Sequence, residues 1–124
     1  MMALADIVVV MAAGGVVVTG ALAVLFALAP GRGMAIATHR KSHLPLVLAD
    51  RYAAFCLLAI AAVIYRDLNV IAVLFAVFAF MGIVDAWLYA RDGHPCARHL
   101  IAGLLAALVS ATALAATLAN GAIA

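Results

Sequence analysis

Charge is scarce in this sequence. Asp, Glu, Lys and Arg make up 10% of its 124 residues, where a soluble domain carries about 25%. Hydrophobic residues reach 71%, and the mean hydropathy is +1.32. Such a chain cannot cover a water-facing surface with polar groups, so lipid must be most of its solvent. The formal charge is only +2, and no basic stripe provides the electrostatic footprint of a nucleic-acid binder. Cysteine is equally sparse. Cys56 and Cys96 form neither a CxxC nor a zinc-type spacing, and Cys56 lies in an apolar run where a thiol behaves as a small hydrophobe. That speaks against a quinone-linked thiol oxidoreductase.

Other absences narrow the class further. There is no nucleotide-binding loop, nucleophile elbow or Gly-rich fingerprint, and no internal repeat. The start, Met1 to Asp6, lacks the positive region of a signal peptide, and the apolar run after it is too long for a cleaved leader. It is therefore expected to be a retained first span.

What is present is a set of long apolar segments. Span one is expected over 7–29, with no charge; at 1.5 Å per residue it gives about 34 Å of helix against a hydrocarbon core of about 30 Å. Pro30, Gly31 and Gly33 break it, and a polar loop follows from Arg32 to Ser42. Span two is expected over 44–65, entered at Ser42 as N-cap with Pro45 in the first turn. Arg66-Asp67 makes a tight turn, after which Asp67 or Asn69 caps span three, over 68–90. The segment Arg91-Asp92-Gly93-His94-Pro95 is a second turn, and span four runs over 98–121. Short connections imply antiparallel neighbours. The expected fold is all-α: an integral membrane antiparallel four-helix bundle, one domain over 1–124.

Basic residues set the orientation. Arg32, Arg40 and Lys41 lie in loop one, Arg91 and Arg98 flank loop three, and the termini have neither Lys nor Arg. The positive-inside rule then places loops one and three in the cytoplasm, making a multi-pass protein of the cell membrane with both termini non-cytoplasmic.

The charges inside the spans carry the functional information. Tyr52 to Tyr65 is the uncharged part of span two, about 21 Å of helix, too short for a core of about 30 Å. Asp50 and Arg51 therefore lie at or below the cytoplasmic edge of the apolar layer. Asp85 sits near the end of span three, and His99 opens span four from the same side. Antiparallel threading gathers Asp50, Arg51, Asp85 and His99 in one slab, where ionisable groups face the bundle interior and pair. Small residues mark the faces that approach each other in lipid. In span four these are His99, Gly103, Ala106, Ser110, Ala113 and Thr117; in span one, Ala12, Gly15, Thr19 and Ala23; in span two, Asp50, Ala54, Leu57 and Ala61.

Two readings of the slab stand side by side. Trp87, Tyr89 and Tyr52 form an aromatic belt at the same edge, so Asp85 and Arg51 are either snorkelling anchors or members of a polar pocket. His39, Arg40, Lys41 and His43 read as a positive-inside anchor. A haem between His43 and His99 would draw on groups in or near loops, and a zinc ion on His94, Cys96 and His99 would have only three ligands. Neither metal nor other cofactor is expected.

In three elements taken in order, the chain resembles a family of small four-helix membrane proteins akin to the DoxX-like group. These are Asp50-Arg51 opening span two, Asp85 and Trp87 late in span three, and His99 opening span four. The resemblance implies the four-helix fold and singles out the same residues; it implies no reaction.

The leading expectation is binding of a small apolar molecule that arrives from the lipid, with acid/base conversion as an extension. Asp85 or Asp50 would be the base and His99 the proton donor. Arg51 would hold a developing anion or orient a carboxylate, with Trp87 and Ser110 as further ligand contacts. The rivals are a proton- or ion-coupled transporter and an accessory subunit held to a membrane partner, or to its own copy, by small-residue faces. A transporter needs polar groups along the whole path, and the outer half has little beyond Thr112, Thr117 and Asn120.

Overall fold

The helical stretch before Pro30 breaks at Ala29, as expected, but helical structure resumes at Pro30 itself. The computed structural model describes Val17 and residues 21–121, with side chains as far as Ala119. Most of span one, including Ala12, Gly15 and Thr19 of its small-residue stripe, lies outside the described residues, but 21–28 is helical. Arg32 to Ser42, expected to be a loop, is largely structured. A short helix, α1, runs Pro30–Ile36 with Pro30 in its first turn, where the fixed φ suits a helix start and the missing N–H is not needed. Gly33 is buried because the ring of Phe26 rests on it; a Cβ there would meet that ring at 2.9 Å. The helix closes with Thr38 at φ 57, while the His39 and Thr38 N–H groups donate to Met34 and Ala35 carbonyls at 2.8 and 3.1 Å. This is the paired closure of a Schellman cap, built on threonine in place of the usual glycine.

A 3₁₀ turn, Lys41–His43, leads into α2, Leu44–Tyr65. Ser42 does not cap α2 as expected. It sits inside that turn, with its hydroxyl 3.2 Å from Nδ1 of His43. Helix α3, Leu68–Arg91, follows after two residues and is capped by Asp67, whose Oδ1 accepts from the N–H groups of Asn69 and Val70 at 2.8 and 3.2 Å. Arg66 takes the left-handed conformation, φ 59, that so tight a link requires. Helix α4 is Ala97–Gly121. Among the described residues α2, α3 and α4 are long and apolar enough to cross a membrane, with mean hydropathies of 2.0, 2.3 and 2.1 over their most apolar stretches.

The turn between α3 and α4 is a full Schellman cap. Gly93 has φ +74, its N–H donates to Ala90 at 3.1 Å, and the His94 N–H donates to Tyr89 at 2.8 Å. The Tyr89 and His94 rings lie 6.3 Å apart across it, in the place of the contact that usually accompanies this motif. Pro95 then blocks any continuation of α3.

The chain divides into two compact units, residues 1–51 and 52–124. In the second, α3 and α4 pack closely along their length. Asp85 meets His99, Gly82 meets Gly103, and the Ala72 carbonyl accepts from Ser110 at 2.7 Å. Numbers fall along one helix as they rise along the other, so the pair is antiparallel. The seam is small. Ala72, Ala79 and Ala86 are buried on α3, and Gly103 and Ala113 on α4. A Cβ on Gly82 would lie 2.7 Å from the Gly103 Cα, so the backbones touch there. The α4 stripe from His99 to Thr117 faces the seam as expected, and its alternating steps of four and three residues suit a left-handed pair.

Helix α2 differs from expectation. Ala54, Leu57 and Ala61 are exposed, and the inward face is Phe55, Ala59 and Ala62. The small-residue criterion chose the wrong face because this helix approaches its neighbour through a ring. Phe55 reaches Phe78 of α3 at 5.5 Å between centroids. The surface is otherwise apolar, from Leu57 and Val63 through Phe80 to Leu104 and Leu118, and no large side chain is fully buried among the described residues. Lipid covers such a surface without penalty; water would not.

Candidate functional site

Helix α3 places Phe75, Phe78, Gly82 and Asp85 on one face, at steps of three and four residues, and α4 presents His99, Ala102, Ala106 and Val109 in the same way. Where the glycine pair draws the two backbones together and Phe55 holds α2 at ring distance, a groove of about 450 Å³ opens. Tyr52, Phe55, Phe75, Phe78 and Met81 line one side, and Ala102, Leu105, Ala106 and Val109 the other. Its volume falls within the range of small-molecule sites, about 300 to 1,000 Å³. The rings form a chain of edge and tilted contacts: Tyr52 on Phe55 at 6.1 Å, Phe55 on Phe78 at 5.5 Å, and Phe75 on Phe78 at 5.5 Å.

Asp85 and His99 close one end of the groove. His99 Nδ1 lies 3.9 Å from Asp85 Oδ2, with side-chain exposures of 32% and 49% respectively. That separation exceeds a hydrogen bond, so the two side chains are adjacent and not hydrogen-bonded to each other. His99 is held from its other side. The Tyr89 ring stacks on the imidazole at 4.7 Å between centroids and 34° between planes. Tyr89 is itself the residue on which the Schellman turn closes, so loop geometry, ring stacking and imidazole position are linked.

The remaining sequence-selected residues are placed as follows. Ser110 hydrogen-bonds to the Ala72 carbonyl and joins α3 to α4. Trp87 is exposed, with the Arg91 guanidinium over its ring at 5.2 Å, and Arg91 also meets Asp92 at 3.3 Å. Asp50 and Arg51 belong to the first unit. Asp50 is exposed, and Arg51 lines a cavity of about 140 Å³ with Phe26, Met34, His39 and Leu44 among its neighbours. Among the described residues, no three His, Cys, Asp or Glu side chains converge as metal ligands.

Reasoning from charge and small residues selected Asp85 and His99 and missed the aromatic wall. The signal was present: Phe75, Phe78 and Asp85 share a helical face through Gly82, and a glycine in the middle of an apolar span marks a close approach. Phe55, by contrast, had no such mark.

Among the described residues these features define the class: an all-helical protein with three membrane-length helices and a groove between them. No family model, curated protein or solved structure matches the chain.

Proposed function

We propose that this is a four-helix, multi-pass membrane protein of the kind its DoxX-like resemblance implies, and that it takes a small apolar molecule from the lipid into the groove between α2, α3 and α4. The observation that carries the reading is a groove with aromatic and aliphatic walls whose polar groups, Asp85 and His99, are gathered at one end. Apolar walls hold the body of a ligand, and a few convergent polar groups fix its orientation. As an extension, Asp85 serves as base and His99 as proton donor to the bound molecule. The basic residues around α1 and the α3–α4 turn support an arrangement with both termini outside the cytoplasm.

The polar groups elsewhere favour binding over transport. Thr112 and Thr117 donate to their own helix at Leu108 and Ala113, at 2.8 and 3.1 Å, and Ser110 is engaged with Ala72. Each of these hydroxyls spends its one donor within the helix pair and is left only as an acceptor for any polar path from Asp85 along α4.

Native mass spectrometry of the purified protein tests the reading. A co-purifying small apolar molecule is expected, and it should be lost when Ala106→Phe fills the groove. Ligand retained at full occupancy in that variant, or none in either protein, would refute the proposal.

A further inference from the structure

Resting on the reading that the groove holds an apolar molecule, we infer that its ligand is a cationic amphiphile: an elongated apolar body ending in a protonated amine. Three independent features of the groove agree. The first is charge. Among the described residues lining it, Asp85 is the only acidic side chain, and no Lys or Arg is present. His99, at 3.9 Å, is too distant to hydrogen-bond the carboxylate. An ionised carboxylate only accepts, so the group that fits beside it is a donor. An ammonium makes a charge-assisted bond, roughly twice as strong as a neutral hydroxyl's.

The second feature is the wall. Tyr52, Phe55, Phe75 and Phe78 form a continuous aromatic chain. Apolar rings take the body of the ligand, and any ring face that reaches the head attracts a cation and repels an anion. The third is shape. Phe75 and Asp85 lie ten residues apart on one face of α3, so the furrow between them is about 15 Å long. With the carboxylate at one end, it suits a head and a tail.

The test uses dodecylamine, dodecanol and dodecanoate, which share a tail and differ in head charge. Each is offered to the full chain in zwitterionic phosphatidylcholine nanodiscs, and occupancy is read by native mass spectrometry against empty discs. The amine is expected to bind about tenfold more tightly than the alcohol, with the carboxylate weaker still. Asp85→Asn should erase the preference for the amine over the alcohol, and Asp85→Glu should restore it. The wild-type series alone decides the sign if a variant fails to fold. Equal binding of all three heads, abolished by Ala106→Phe, would overturn the cation inference and leave the groove reading standing, as would preference for dodecanoate. No binding of any of the three, or binding indifferent to Ala106→Phe, would remove both.

Discussion

Gly82→Ala puts the helix seam to its sharpest test. The added Cβ would stand 2.7 Å from the Gly103 Cα and its N, and 3.0 Å from the His99 carbonyl oxygen. Carbon atoms pack at about 3.5 to 4.0 Å, so the helices must separate by roughly 1 Å at this level. The obstacle is backbone, which cannot rotate away as a side chain would. Overpacking of this kind costs about 1 to 3 kcal/mol, and alanine's better helix propensity returns up to about 1 kcal/mol. Gly31→Ala measures that propensity gain in the same chain, because nothing lies within 4 Å of its new Cβ. Gly82→Ala should therefore fall at least about 1 kcal/mol below Gly31→Ala. Equilibrium unfolding in mixed detergent, followed by helicity, gives both values. Equal stability of the two variants would refute the close crossing and the account of how the groove is framed. Separation at Gly82 should also move Asp85 from His99, so ligand occupancy should fall with stability.

Four further outcomes follow from the geometry, each read by the same unfolding measurement unless stated. Ser110→Ala removes one interhelical bond and should cost about 0.6 kcal/mol, because the Ala72 carbonyl keeps its place in its own helix; a loss above about 2 kcal/mol would assign Ser110 a larger role. Asp67→Ala deletes a cap with two backbone donors and should cost about 1 kcal/mol, with faster amide exchange confined to Asn69 and Val70. Thr38→Gly relieves a β-branched residue at φ 57 and should stabilise by about 1 kcal/mol; a loss would mean that the Thr38 side chain matters more than its backbone. Asp85→Ala should cost about 1 kcal/mol or less, not the about 3 to 5 kcal/mol of a fully buried pair. The reason is that the pair is partly exposed and 3.9 Å apart.

Composition and breaker residues alone determined where the long helices α2, α3 and α4 stop. Each boundary has a local cause. Asp67 caps α3 with its own side chain, and Gly93 and Pro95 close the α3–α4 turn whatever packs around it. The pairing of Asp85 with His99 was legible for the same reason. A short turn forces neighbouring helix ends to equal depth, and small residues at helical spacing show which face of α4 turns inward. Tertiary structure decided what depends on distance between helices. The backbones touch at Gly82–Gly103, a coincidence of two residues far apart in the chain. The inward face of α2 is set by Phe55 meeting Phe78, against the small-residue pattern of that helix. The groove exists because one neighbour of α3 touches it through backbone and the other through rings. Helical periodicity shows which side chains share a face, but not how near the opposing helix comes. That depends on which residues meet across the gap, and only the folded chain brings them together.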